Sequence, residues 1–255
     1  MQQGLLDTSD GDADPADEDL ACWQEHGWGL SLPSYTWSRS VSYYDSGPDE
    51  HARRTGALES MLRENACPMS PVPNPSAITL PDPDGWDGPP LGDVIEQRRS
   101  VGAFRPGKVN QKALAMLLHH GTSKIRECRR HSSSEDPHSL LISVGAAFDV
   151  YVLVYSIEGL APGTYLYEPQ TGALSSKKFG NLRESARAAL AGQPDPTHAA
   201  ATILLIADFD RYQWRYRHER ALRNLYLESG RLMQPLILVA TALRLQTGIT
   251  PAIRD

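Results

Sequence analysis

Between residues 210 and 245 the pattern of side chains turns over halfway. The run DRYQWRYRHERALRNLYLESGRLMQPLILVATALRL opens on arginines and aromatic rings and closes almost wholly apolar. Leu222, Leu225, Leu232, Leu236, Ala240 and Leu243 follow a three/four rhythm, which predicts one long helix from about Arg217. A helix N-terminus carries free N–H groups and a partial positive charge. With Arg215, Arg217, Arg220 and Arg223 beside it, that end is an anion-attracting corner next to a hydrophobic core. The same pattern also suits a solvated arginine face on an ordinary core helix.

Elsewhere the periodicity alternates between the two regular structures. Leu91 to Arg99 reads as helix, and so does Gln111 to His119, with Leu114, Leu117 and Leu118 inward. Phe148 to Tyr155 is β-branched and aromatic and reads as a strand, and Gly163 to Pro169 is a second strand after a Pro-Gly turn. Gln170-Thr171-Gly172 begins the next reversal, and Leu182 to Leu190 is helical. Ala201 to Phe209, a continuous apolar run, predicts a strand buried on both faces. The expected fold class is α+β, with helices packed on a central mixed sheet.

The N-terminal third is organised differently. Residues 1–20 hold seven acidic side chains and no Lys or Arg, which predicts a disordered tail. Residues 21–90 follow as an aromatic and then Pro-rich region. Trp23, Trp28, Tyr35, Trp37, Tyr43 and Tyr44 crowd its start, as in a segment that docks on something. His51 to Glu64 is a candidate short helix, and the eight prolines from Pro68 to Pro90 make an extended strap. Residues 91–255 are the folded domain.

Charge and composition narrow the function classes. The net charge is −6, but the acidic tail accounts for all of it, and the rest is close to neutral. A general nucleic-acid-binding role is therefore not indicated. No apolar run is long enough to span a bilayer, and the N-terminus does not read as a signal peptide. Three scattered cysteines, Cys22, Cys67 and Cys128, fit a reducing cytoplasm and no Cys-based metal site. His119 and His120 are adjacent, so on a helix they point apart and no metal ligand set is expected.

Common nucleotide, hydrolase and zinc signatures are missing. One local cluster carries chemistry. Gln97-Arg98-Arg99-Ser100 ends a helix before Val101-Gly102, and two guanidiniums with a hydroxyl beside a turn can bind phosphate. Equally, Arg98 and Arg99 can simply cap the helix C-terminus.

The stretch ITLPDPDGWDGPPLGDVIEQRRSVGAFRPGKVNQKALAMLLHHG resembles the entry to flavin-dependent nitroreductase-fold proteins, most of all the SagB-type azoline dehydrogenase branch. ISVGAAFDVYVLV, GLAPGTYLYEPQTGAL and the run from Asp210 to Asp255 follow as further blocks in the family's order, so the resemblance covers about Ser76 to Asp255. It implies FMN at a homodimer interface, with an azoline-containing precursor peptide stacked over the flavin. It also implies that Arg98, Arg99 and Ser100 bind FMN, that Ser143 and Gly145 form the loop beside it, and that Gln234 lies near it on the core helix. Trp214, Arg215 and Tyr216 match the family's Trp-Lys-Tyr, so Arg215 and Tyr216 are the expected catalytic pair. Oxidising an azoline removes a proton from one carbon and a hydride from its neighbour, so a base must accompany the flavin.

The chain departs from this pattern at several places. Gly102 stands where a further FMN-contacting Arg is usual, and Arg215 replaces a Lys and stays protonated, so it cannot be a base. Ile142-Ser143 replaces Pro-Ser, and Leu243-Arg244-Leu245-Gln246 puts bulky groups where glycines are usual. Pro235 is expected to kink its helix. The resemblance implies a further closing segment beyond Asp255, so the expectation is that the chain is a fragment, depends on another subunit to cover a sheet edge, or has lost flavin chemistry. Besides azoline oxidation, two readings follow. One is a non-catalytic scaffold or heteromeric partner of an active homologue, and the other is a different redox reaction on the same fold.

Overall fold

The computed structural model describes residues 15–39, 49–68, 74, 76–132, 139–218, 220–250 and 253. The chain divides into two compact units, residues 1–43 with 218–222, and the remainder. In the first unit, α1 (Pro15–Glu25) and α2 (Leu32–Arg39) are joined by a 3-10 turn. The ring of Trp23 meets Trp28 edge-on at 5.9 Å and Tyr35 at 5.1 Å, so these three rings pack on one another, while Tyr43 and Tyr44 lie outside the described residues. Of the acidic tail expected over residues 1–20, residues 1–14 lie outside the described residues. From Pro15 the chain is helical, with proline in the first turn, where its missing N–H is harmless.

The second unit is built on a five-stranded sheet. Its strands are β1 (Ile78–Thr79), β2 (Phe148–Val154), β3 (Gly163–Glu168), β4 (Ala173–Phe179) and β5 (Ala201–Ala207), in the order β1-β4-β3-β2-β5. Every pair is antiparallel, so the α+β reading holds but the described sheet is not mixed. Parallel pairing occurs only as isolated bridges, Ser100 with Thr247, Ala103 with Asp195 and Val109 with Ile157. The β3–β4 hairpin turns through Gly172 at φ 66, a left-handed conformation that glycine adopts without steric cost. Tyr165, Tyr167, Val150, Val152 and Val154 form the buried heart of the sheet. By contrast β5 ends the described sheet and is only half-buried, with Ile206 45% exposed, which corrects the expectation of a strand buried on both faces.

Helices α3 (Glu50–Glu64), α4 (Leu91–Gln97), α5 (Gln111–Gly121), α6 (Ser123–Ser132), α7 (Arg183–Ala189), α8 (Phe209–Arg215) and α9 (Ala221–Ala242) complete the second unit. The arginine-rich run is therefore not the N-terminus of one long helix. It is a short helix, α8, then a break, then α9. Asp208 caps α8 by accepting a hydrogen bond from the N–H of Arg211 at 3.0 Å. Helix α9 continues through Pro235 to Ala242, so the proline does not end it. Where α5 ends against α9, a Cβ on Gly121 would lie 2.5 Å from Leu236 Cδ2, so only glycine lets these two helices approach so closely.

Candidate functional site

The residues expected to act fall into two groups at opposite ends of α9. The first surrounds the loop that leads into β2. From Leu140 to Phe148 this loop is held almost residue by residue from α6, α8 and α9. Arg215 Nη1 donates to the Leu140 carbonyl, and the Cys128 thiol donates to the Ile142 carbonyl at 3.2 Å. The Tyr216 hydroxyl donates to Ser143 Oγ at 2.6 Å, and the Gly145 N–H donates to Glu228 Oε1 at 2.7 Å. Arg211 Nη1 reaches the Ala146 carbonyl at 3.3 Å, the Asp208 N–H the Ala147 carbonyl at 2.7 Å, and Arg129 Nη2 the Phe148 carbonyl at 3.1 Å.

These anchors are delivered by the core beneath them. Trp214 is buried with Leu58 and Leu140, and its indole N–H donates to the Asn65 carbonyl at 3.0 Å, which fixes the end of α8. Arg215 and Tyr216 follow directly and are turned to the loop. Below it, Asp149 is shared by two buried arginines, its Oδ1 2.7 Å from Arg129 Nη2 and its Oδ2 2.6 Å from Arg211 Nη2. Arg129 also pairs with Glu168 at 2.9 Å, and Arg211 with Asp208 at 3.1 Å. Gly145 sits at φ 94, and a Cβ there would lie 2.9 Å from Ile125 Cγ1, so the turn needs glycine on both counts.

Burial sets the proton chemistry of this end. It pushes the Glu228 carboxyl up from its ordinary value, against the opposing pull of the Gly145 N–H, Arg215 and Arg231. It pushes the Cys128 thiol up to about 11, so the sulfur stays a protonated donor to Ile142. The Tyr212 phenol is also raised by burial, and its ring lies 4.8 Å from that of Tyr216.

The second group lies at the other end of α9. Arg98 Nη1 donates to Ser100 Oγ at 3.3 Å, which brings these two expected residues together. Arg99 Nη1 turns back onto the carbonyls of Glu96, at 2.7 Å, and Arg98, at 2.9 Å, and so caps α4. Val101 N–H donates to the Thr247 carbonyl at 2.8 Å, and Gln246 Oε1 accepts from Arg105 N–H at 3.0 Å. These bonds tie the strip after α4 to the strip after α9. Between them opens a cavity of about 240 Å³, lined by Gln97, Arg99, Val101, Thr241, Arg244, Leu245 and Gln246.

The end of α9 is itself unusual. Leu245 N–H donates to the Ala240 carbonyl at 2.8 Å and Arg244 N–H to the Thr241 carbonyl at 2.9 Å, the paired bonds of a Schellman motif. The left-handed residue such a motif requires is normally glycine, yet here it is Arg244, at φ 58. For a side-chain-bearing residue that conformation costs about 1–2 kcal/mol.

The expected site residues therefore do not all meet. Ser143, Gly145, Arg215 and Tyr216 gather at the loop, and Arg98, Arg99 and Ser100 lie by the cavity. Gln234 stands on α9 between them, exposed. From Glu228 to Thr241 the helix rises about 20 Å. Two participants had no sequence signal of their own. Glu228 is one acidic residue in a polar helical stretch, and Arg244 reads only as a bulky replacement for a glycine.

The comparisons agree with this architecture. The family model for the nitroreductase family matches residues 95–255. The trifolitoxin operon protein TfxC of Rhizobium leguminosarum bv. trifolii is 25% identical over 92% of this chain and 68% of its own length. A proposed nitroreductase of Anabaena variabilis superposes with a TM-score of 0.51 at 25% identity, over 61% of this chain and 31% of that one. The chain thus spans about a third of that structure's length. A proposed nitroreductase of Ralstonia eutropha gives a TM-score of 0.45 at 20% identity, over 66% of this chain and 72% of its own. With a family match covering both the loop end and the cavity end, the chain belongs to the nitroreductase family.

Proposed function

We propose that the protein is an FMN-dependent dehydrogenase that oxidises azoline rings in a precursor peptide to azoles, as part of peptide natural-product biosynthesis. The observation that carries this reading is the Tyr216 hydroxyl held 2.6 Å from Ser143 Oγ, on a loop whose backbone is fixed from Leu140 to Phe148. Proteins of the nitroreductase family typically bind flavin, and the likeness to a trifolitoxin operon protein supports the peptide context.

The residues fit FMN on chemical grounds. Arg98 and Ser100 would hold its phosphate through charge-assisted hydrogen bonds, and the loop from Ser143 to Gly145 would line the ring. Bound there, the flavin supplies the hydride acceptor. This chain's own residues handle the proton. Tyr216 is the residue placed to receive the proton from the ring carbon, its phenol oxygen 2.6 Å from Ser143 Oγ. Arg215 keeps its charge and holds the loop through the Leu140 carbonyl, so it is a positioning residue. Gln234, exposed on α9, would be a polar contact near the flavin.

Because the two groups of residues sit about 20 Å apart along α9, a second chain completing each site is the arrangement we favour. Tyr226 and Leu227, on the exposed side of α9 at 70% and 67% exposure, supply apolar surface for that partner. A homodimer does this symmetrically, and a related subunit would do it in a heteromer. A second reading, a scaffold for an active homologue, is favoured by one observation: the Arg215 guanidinium is spent on a carbonyl.

The test is to incubate the FMN-loaded protein with a thiazoline- or oxazoline-containing peptide and follow the loss of two hydrogens per ring by mass spectrometry. Wild type should convert the ring, and Tyr216→Phe should be slower by about 10²–10⁴-fold with its flavin absorbance unchanged. Flavin binding without any ring oxidation would reject the azoline reaction, and equal rates for both proteins would reject the role of Tyr216.

A further inference from the structure

Four large side chains of the first unit, Trp23, Trp28, Leu30 and Tyr35, crowd one short stretch, and the function proposed above uses none of them. Helix α1 ends in a Schellman motif. The Trp28 N–H donates to the Trp23 carbonyl at 2.7 Å and the Gly27 N–H to the Gln24 carbonyl at 3.0 Å, with Gly27 in the left-handed seat at φ 73. The motif sets the ring of Trp28 against that of Trp23, and Tyr35 of α2 meets the same ring. The three rings are thus held in place, yet Trp28 is 63% exposed, Leu30 in the turn between the helices is 97% exposed, and Tyr35 is exposed as well. Rings fixed before binding lose little freedom on binding, and Trp and Tyr are the side chains that most often carry an interface.

Charge and size name the partner. The first unit holds nine Asp and Glu, two Arg and no Lys, a net charge of −7, while the whole chain carries −6. That field repels nucleic acid and anionic lipid and attracts Lys and Arg. The faces of exposed Trp and Tyr rings attract the same cations. Three exposed side chains cover far less than the roughly 800 Å² per partner that a stable subunit interface buries, so the patch suits a short peptide segment.

We propose that Trp28, Leu30 and Tyr35 form a docking site for a cationic, apolar segment of the precursor peptide, apart from the ring to be oxidised. This rests on the peptide-dehydrogenase reading above and adds how the substrate is held. Apolar side chains of the segment sit on the rings, and its Lys or Arg side chains face the acidic chain. Docking at a second point raises the effective concentration of the azoline at the loop into β2.

The test titrates labelled peptides of Lys and Leu, of Glu and Leu, and of Lys and Ser into the full chain by fluorescence anisotropy. Wild type is compared with the double variant Trp28→Ser, Leu30→Ser, which removes apolar surface and leaves every charge. Wild type should bind the Lys/Leu peptide about tenfold more tightly than the other two, and the double variant should lose that margin with its melting temperature unchanged. Equal binding of Lys/Ser would mean charge attraction alone, equal binding of Glu/Leu apolar adhesion alone, and either overturns the site. A double variant that binds as wild type does also overturns it, and a changed oligomeric state would then assign the patch to a second copy of the chain. In the azoline assay, joining the Lys/Leu segment to the substrate should lower KM about tenfold with kcat unchanged, in wild type and not in the double variant. Ring oxidation with the same KM for both substrates overturns the docking role. Selective binding without any ring oxidation keeps the docking site and fails the azoline reading by itself.

Discussion

Glu228 shows how a single side chain can be placed by the backbone it supports. Its Oε1 accepts the Gly145 N–H at 2.7 Å, while burial raises its pKa above the ordinary carboxylate value. With a folded-state pKa higher than the unfolded one, the folded state holds the proton more tightly. The charged carboxylate therefore weighs against folding. Stability is fullest below the unfolded pKa, near pH 4, and is lost as pH rises through the raised folded value. Glu228→Gln keeps an acceptor for Gly145 but cannot ionise. Melting curves between about pH 4 and pH 7 should therefore fall more steeply for wild type than for Glu228→Gln. Parallel curves would mean that the carboxylate is solvated and not buried beside the turn. The same local logic explains Arg99. Its guanidinium lies within reach of its own helix's last carbonyls, so half of a motif that looks like an anion site is spent on capping.

At the level of elements, the loop into β2 depends on the charges packed beneath it. Arg129 from α6 and Arg211 from α8 meet on Asp149 of β2, so one carboxylate sets the position of two helices against the sheet. Replacing Asp149 with Asn leaves two buried guanidiniums short of a negative charge, a change that costs about 3–5 kcal/mol. Urea unfolding should show a much lower midpoint with an unchanged slope. A midpoint within experimental error of wild type would contradict the buried pairing. Elements with a strong apolar rhythm were legible in the sequence. The expected helix over Gln111–His119 is found as Gln111–Gly121, and the expected strand over Phe148–Tyr155 as Phe148–Val154. Helix α6 was not, because SKIRECRRHS buries Ile125, Cys128 and Arg129 while the rest is polar. The break between α8 and α9 carries no Gly or Pro to mark it, and the backbone leaves the helix at Tyr216 (φ −118, ψ 86).

For the molecule as a whole, the order of blocks along the chain carried the family, and tertiary contacts decided what each block does. Trp214, Arg215 and Tyr216 are adjacent in sequence but divide their tasks. The first anchors the Asn65 carbonyl, the second holds the Leu140 carbonyl, and the third presents its hydroxyl to Ser143. No spacing rule distinguishes those fates, because each depends on which carbonyl or hydroxyl the fold brings near. The separation of the loop end from the cavity end was likewise invisible in the sequence, where each group looks like part of one site. Among the described residues no helix is long and apolar enough to cross a membrane. The central claim is that this chain holds FMN through these two groups of residues. The most direct measurement is the visible absorbance of the purified protein, followed by titration with FMN under fluorescence quenching. The account predicts a flavin band or, after removal of the cofactor, saturable quenching that reaches a fixed FMN-to-chain ratio. A colourless protein with no saturable quenching would contradict it.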